Sequence, residues 1–420
     1  MSKIKLLVVS DSIEIPTGVG GQAKKLLYGL QKTGDYEIVE IAGSLMKIDP
    51  PVYFHSVEID KHNYGAIKLY NTPDGYGNVG LFRQVFNIEK PDIVLAFSDP
   101  RFFTYLFMID NEFRNKAKFV FYHTWDNDPF PSFNRKWYAA CDAVVMISKF
   151  SYNLMKSGGI DCHYIPHGFD AKEFHKLPEA RIRQVQKELF KNIINVDNLQ
   201  REPFTILWSN RNIGRKRPGD IIRIFKLFND MHKDSVLLLN TAPVEPEGTN
   251  LLDVIQYYAA NKVLPIAMIP NRISIEKLNE LYNAAEVTVN ISSNEGFGLC
   301  VGESLMTETP VIVTKTGGMT EQAMNEKTQF GRVIEPAVRE LIGTPSVPYI
   351  FRDFVSDNDV LDALEDAYVH PLSWKSAAAQ GRVHISENYS IKRTVQQWDS
   401  LLKQVQGSSS KFERIKFREI

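Results

Sequence analysis

Short β-branched and aliphatic runs alternate with amphipathic helical patterns from one end of the chain to the other. Runs at 4–10, 36–42, 93–97, 118–123, 143–147 and 163–165 read as one series of strands. Those at 204–208, 235–240, 264–269, 287–291, 310–314 and 332–334 read as a second. The intervening segments carry a helical period: Ala23, Leu26, Leu27 and Leu30 share one face, and Ile275, Leu278, Tyr282 and Ala285 another, with Ser274 placed to cap the latter. This alternation predicts an α/β fold of two doubly wound, Rossmann-like domains, each a parallel sheet with helices on both faces. A polar stretch at 171–203, helical near 182–194, is the expected junction. The segment 389–405 reads as an amphipathic helix, and 407–420 as a Ser-rich turn followed by alternating charged and apolar residues. The expected divisions are 1–170, 171–387 and a closing 388–420.

At 420 residues the chain exceeds what one core normally holds, which agrees with two domains. With 44% hydrophobic and 24% charged residues it is ordinary globular material. Its formal net charge of −1 speaks against an electrostatic nucleic-acid binder. Three cysteines, Cys141, Cys162 and Cys300, show no C-x-x-C spacing, so neither a zinc knuckle nor a disulfide framework is expected, and a reducing, cytoplasmic setting is. The apolar stretch after Met1 is too short for a signal peptide or a membrane span, and no later run is long enough to span. Peripheral contact with a membrane surface stays open.

In open parallel sheets ligands bind beyond the carboxyl ends of the strands, so two such domains would face one another across a cleft lined by strand-end loops. The most informative of these loops is Asn294-Glu295-Gly296-Phe297-Gly298-Leu299-Cys300-Val301-Gly302-Glu303. Its flanks place Glu295 at the end of a strand and Glu303 about one turn into the following helix, whose first N–H groups and dipole favour an anion. Glycines permit close backbone approach, and the two carboxylates suit sugar and ribose hydroxyls, which points to a phosphorylated ligand. A second loop, 209–218, gathers Arg211, Arg215, Lys216 and Arg217 at a strand-to-helix junction. A pyrophosphate would satisfy such a cluster, gripped by the fork of Arg211 and the point charge of Lys216, both expected to project from the loop. A third, Thr17-Gly18-Val19-Gly20-Gly21, enters a helix and faces phosphate or acceptor. His123 ends a strand and is the preferred active-site histidine. His167 is expected to be structural. Asp126 and Asp128 look like a D-x-D metal pair, but no His cluster completes a site and no metal is expected.

Taken in order, Gly18-Val19-Gly20-Gly21, Ile147-Ser148, Ile165-Pro166-His167-Gly168-Phe169-Asp170, the Arg211 to Lys216 spacing, Glu295 to Glu303, and Thr316-Gly317-Gly318-Met319-Thr320-Glu321 resemble the retaining nucleotide-sugar glycosyltransferases of the GT-B fold, family four of group 1. The resemblance implies that Arg211 and Lys216 hold the donor diphosphate and Glu303 the ribose. Glu295 and the backbone of Gly296, Phe297, Gly298 and Leu299 would contact the transferred sugar and distal phosphate. Gly20, Gly21 and His123 would approach from the first domain, and the base would lie near Ile269, Asn271 and Arg272. The terminal helix would return to the first domain. The chain departs from the family at Arg217, where glycine is usual, and at Cys300 inside the glutamate motif.

The implied activity is metal-independent transfer from a UDP-sugar or GDP-mannose to an acceptor hydroxyl. Attack comes from the face of the leaving group, Arg and Lys stabilise the departing diphosphate, and no cofactor is needed beyond the donor. His123, Arg211, Lys216 and Glu295 are the expected catalytic residues. The acceptor, whether glycan, lipid-linked or a small molecule, is undetermined; 46–80 and 125–135 are its candidate loops. Two alternatives stand beside this: a non-catalytic nucleotide-sugar-binding or regulatory protein, and a glycosyltransferase acting on a modified nucleic-acid base.

Overall fold

A computed structural model describes residues 3–45, 49–72, 75–191, 203–260, 262–270 and 272–409. The chain falls into two units, Met1–Gly168 with Thr344–Pro348 and Ile391–Ile420, and Phe169–Gly343 with Tyr349–Ser390.

The first unit is built on β1 (Ile4–Asp11), β2 (Tyr36–Gly43), β3 (Val52–Ile59), β4 (His62–Asn71), β5 (Ile93–Ser98), β6 (Lys118–His123), β7 (Ala143–Met146) and β8 (His163–Tyr164). They form one sheet in the order β3-β4-β2-β1-β5-β6-β7-β8. Only β3 runs antiparallel to its neighbour. The central strands are apolar and buried on both faces because helices cover both sides: Leu6, Val9, Ile41, Val94 and Val120 are essentially inaccessible. The strand order reverses between β1 and β5, the kind of position at which open parallel sheets bind ligands.

The second unit repeats this plan with β9 (Phe204–Ser209), β10 (Ser235–Asn240), β11 (Ile266–Ile269), β12 (Val287–Asn290), β13 (Val311–Thr314) and β14 (Gly331–Ile334). All are parallel, in the order β11-β10-β9-β12-β13-β14, and the reversal falls between β9 and β12. Ile206, Trp208, Phe225, Leu237, Val289 and Ile312 sit in its core, each such side chain contributing about 1.5–3 kcal/mol on burial.

Two hairpins escape the hydrophobic pattern. The segment 46–80, expected as a loop, contains β3 and β4, paired antiparallel about a turn at Asp60 and Lys61, both with positive φ (51° and 64°). Hairpin turns with both central residues left-handed normally advertise themselves by Asn-Gly or Gly-Gly, and this one does not. The second hairpin, β15 (Val338–Thr344) and β16 (Val347–Phe354), is polar and largely exposed along β15. Residues 46–48 and 73–74 of the candidate acceptor loop lie outside the described residues, as do 192–194 of the expected junction helix and the tail beyond 409.

The terminal helical pattern is two helices, Pro371–Asn388 and Ile391–Gly407, separated at Tyr389 and Ser390. The second belongs with the first unit. Val395 fills the space left by Gly29 on helix Gly18–Thr33, where a Cβ would come within 2.3 Å of it. Trp398 is fully buried with its ring 4.8 Å from that of Tyr122, and Tyr36 donates a hydrogen bond of 2.8 Å to Asp399.

Candidate active site

In the second unit β9 and β12 are paired neighbours, so the loops leaving them, 210–217 and 291–298, begin side by side. Backbone and side chains then tie the loops together. Ser293 N donates to Arg215 O at 2.8 Å, and Arg215 Nη1 donates to Asn294 O at 2.8 Å. Lys216 Nζ donates to Glu295 Oε2, and Arg215 Nη1 lies 3.7 Å from the same oxygen. Lys216 and Glu295 are each only 8% exposed. Neither charge would be tolerated at that depth without the other. Lys216, expected to project outward, therefore turns inward.

Arg211 behaves differently. It is exposed and donates from Nε to Glu245 Oε2 at 2.8 Å, with Glu247 at 3.8 Å, away from the Lys216–Glu295 pair. Glu303 sits in helix Leu299–Met306, half-buried, and accepts 2.8 Å from the Tyr282 hydroxyl. Burial and the neighbouring Glu303 carboxylate push that hydroxyl well above its ordinary pKa, so it remains a donor. Gly298 begins the helix at φ 85° without a side-chain cap; a Cβ there would meet Met319 Cγ at 2.6 Å. The Phe297 ring is buried against Phe169 and Tyr389, and its carbonyl accepts from Gln322 Nε2. The loop after β13 closes the back of the motif. Gly318 N donates 3.1 Å to Glu295 O, and Gly317, at φ 52°, has no room for a side chain, since a Cβ would fall 1.7 Å from that oxygen.

Cys300 accepts from Asn290 at 3.1 Å and lies 3.9 Å from Asn210; burial pushes its thiol up, which makes it a link between the loops rather than a nucleophile. At the end of β11, Ile269 is half-buried and Arg272 exposed, while Asn271 lies outside the described residues.

In the first unit, the loop after β1 is organised by Asp11, which accepts from Thr17 Oγ1 (2.5 Å), Ser44 Oγ (2.8 Å) and Tyr76 OH (2.5 Å). Thr17 also caps the helix, accepting 3.0 Å from Gly20 N, so helix Gly18–Thr33 already includes all three glycines of the expected loop. Gly20 must be bare: a Cβ would come within 2.6 Å of Ile15 O and 2.7 Å of Ser12 O. Gly21 faces open space. His123, at the end of β6, is wholly buried among Phe121, Trp125 and Tyr138. Its Nε2 lies 3.0 Å from the Tyr138 hydroxyl, and its Nδ1 has no hydrogen-bond partner among the described residues. Burial lowers its pKa to about 4, so the ring is neutral at pH 7. His167 is likewise pushed down to about 3 by burial and shares 2.9 Å with the Tyr122 hydroxyl. Among the described residues no three His, Cys, Asp or Glu side chains gather as a metal site requires.

Residues 190–341 match the family of glycosyl transferases group 1, and this stretch holds both the cationic loop and the glutamate loop. The chain carries a group 1 glycosyltransferase domain. Its fold agrees. Sucrose-phosphate synthase from Thermosynechococcus elongatus superposes with a TM-score of 0.72 at 16% identity, over 96% of this chain and 99% of that one. The Anabaena protein HepE, in complex with UDP and glucose, gives 0.68 at 13% identity over 96% and 100%. The catalytic domain of starch synthase IV from Arabidopsis thaliana, bound to ADP and acarbose, gives 0.64 at 12% over 97% and 100%. The molecule has the GT-B fold of two Rossmann-like domains. No curated protein matches the chain in sequence. Among the described residues no helix is long and apolar enough to cross a membrane.

Within the glycosyltransferase domain the structure brings Lys216 to Glu295 and leaves Arg211 outside that pair. It adds Arg215 and Tyr282, which no local sequence pattern marks as site residues. Arg215 stood in the cationic run and only the path of the loop distinguishes it. Tyr282 read as one apolar position of a helix face, and its hydroxyl finds Glu303 through tertiary packing alone.

Proposed function

We propose that this glycosyltransferase, a family-four enzyme, transfers a sugar from a nucleoside diphosphate sugar, a UDP-sugar or GDP-mannose, to an acceptor hydroxyl with retention of configuration. The observation that carries the proposal is the buried Lys216–Glu295 pair between adjacent strand-end loops. It offers a cation for phosphate and a carboxylate for sugar hydroxyls at one point. Breaking the bond from the anomeric carbon to phosphate loads negative charge onto the diphosphate, and a cation already fixed in a water-poor site stabilises that charge without reorganising. Arg215 adds a second cation. Arg211 would exchange Glu245 for the diphosphate. Glu303, oriented by Tyr282, would accept from ribose hydroxyls, and the base would rest near Ile269, Asn271 and Arg272.

The acceptor hydroxyl would attack from the side the diphosphate leaves, its proton passing to the departing phosphate oxygen. His123, neutral at pH 7, would not serve as a proton donor to the reaction. Gly20 and Gly21 would give the donor close backbone approach. The acceptor would be a glycan, a lipid-linked sugar or a small molecule. The loop cations would replace a metal, and no cofactor would be needed. UDP and ADP in the complexes of structurally similar proteins support a nucleoside diphosphate. Buried thiols at Cys141, Cys162 and Cys300 fit a cytoplasmic setting. The test is incubation with UDP-glucose, other UDP-sugars, GDP-mannose and ADP-glucose in EDTA, following diphosphate release and the anomeric configuration of the product by NMR. Release from at least one donor with a retained anomer is expected. No release from any donor, release only with added manganese, or an inverted product would refute the mechanism.

A further inference from the structure

Strand β16 touches three loops of the proposed donor site, those of Arg217, of Ser293 and Asn294, and of Thr316. Phe354, its last residue, lies under the Arg217 guanidinium with 5.1 Å to the ring centroid, and Arg217 Nε also donates 2.7 Å to Asp220. These contacts hold a non-glycine residue at φ 57°, where the resembling family usually has glycine. Phe351 O accepts from Asn294 Nδ2. Asp353 is the centre of the arrangement. It is buried, its N–H donates 2.9 Å to Ser293 O, its Oδ2 accepts 2.7 Å from Thr316 Oγ1, and its Oδ1 accepts 2.8 Å from Arg339 Nε. One residue thus bonds the loop that carries Glu295 and the loop whose Gly318 N–H holds the Glu295 carbonyl.

We infer that Asp353 is a positioning residue for donor turnover. Resting on the donor-site reading above, it sets the spacing between 293–295 and 316–318 and so keeps Glu295 against Lys216. It touches neither donor nor acceptor. Charge-assisted hydrogen bonds are the stronger kind, and a reacting group displaced by about 1 Å costs on the order of 10²-fold in rate. Glu303 accepts from Tyr282, which lies outside β16, so nucleotide affinity should be spared.

The test compares Asp353→Ala, Asp353→Asn and Thr316→Val in the full chain, using UDP-glucose or GDP-mannose, whichever the wild type turns over. Diphosphate release gives kcat, and calorimetry gives the affinity for the free diphosphate. For Asp353→Ala, kcat should fall about 10- to 100-fold, while affinity changes less than about threefold. Asp353→Asn, which still accepts from Thr316, should recover most of the rate. Thr316→Val should reproduce part of the loss, and combining it with Asp353→Ala should add little, because both cut one link. Should Asp353→Ala fail to fold, Thr316→Val alone decides by the same split between kcat and affinity. An active wild type beside unchanged kcat in the variants overturns the positioning role and leaves the transfer reading standing. Equal losses of kcat and affinity overturn it too. A wild type that turns over no donor overturns both.

Discussion

At the reversal between β9 and β12 the polar groups are opposite charges bonded from loop to loop: Lys216 and Arg215 with Glu295, and glycine backbone close by. At the equivalent reversal between β1 and β5 they are acids ringed by hydroxyls. Asp11 accepts from Thr17, Ser44 and Tyr76, and Glu40 is wholly buried beside Ser10. The same strand order therefore fixes where a ligand-binding edge lies in each unit, and the side chains alone decide its chemistry. Cations with a bare backbone suit a diphosphate. Carboxylates satisfied by hydroxyls do not, and burial raises the Glu40 pKa to about 8, keeping it protonated near neutral pH.

The contrast breaks most readily at Lys216. Lys216→Ala should lower kcat for donor turnover by about 10²- to 10³-fold and weaken binding of the free diphosphate far less. Because the lysine is buried, the variant should also lose stability, by about 3 kcal/mol, less whatever Arg215 supplies to Glu295. Steady-state kinetics and denaturant melts check both parts. A raised KM with unchanged kcat would reduce the lysine to simple binding. Glu303→Ala comes next, with nucleoside diphosphate affinity expected to drop roughly 10- to 100-fold, the worth of hydrogen bonds to a charged group. Calorimetry decides it, and a larger drop in Glu295→Ala would reverse the two roles.

Smaller effects sharpen the first unit. The folded protein holds a proton on Glu40 up to about pH 8, whereas the unfolded chain sheds it near 4.5. Stability should therefore fall as pH rises through that window, and the loss should be complete above it. Glu40→Gln should abolish the fall, so its Tm advantage should grow by a few degrees from pH 5 to 8 and then level off. A constant difference across pH would place the carboxylate in contact with water. The smallest effect concerns His123, whose folded pKa of about 4 leaves it neutral across the working range. The pH profile of donor turnover should show no inflection from it near 6.5, and His123→Asn should keep the shape of the profile. Its loss of a step near 6.5 would mean a protonated imidazole at work.

Legibility in the sequence followed burial. Strands β1, β5, β6, β9, β10 and β12 are apolar because helices cover both faces, and their positions could be read directly. Strands β3, β4, β15 and β16 are half-exposed and antiparallel or polar, and the Asp60-Lys61 turn lacks the glycine that marks such hairpins. The acids of the site were legible for a similar local reason, since turn formers after a strand place Glu295 and a helical run places Glu303. The cations were not equally so. Which of four side chains meets Glu295 depends on the left-handed turn at Arg217, and only the fold shows that Arg211 bonds Glu245. Asp353 and Tyr282 act across long sequence separations, where no local pattern points to them.

Whether the β9–β12 edge is the nucleotide site can be read from thermal shifts with UDP, GDP, ADP and their sugars on the wild type, Glu303→Ala and Asp11→Asn. A saturating ligand raises Tm through its binding free energy. With the nucleotide at that edge, one nucleotide family should raise the Tm of the wild type and of Asp11→Asn alike, and the rise should be largely lost in Glu303→Ala. No rise with any nucleotide, or a rise that survives in Glu303→Ala and vanishes in Asp11→Asn, would contradict that placement.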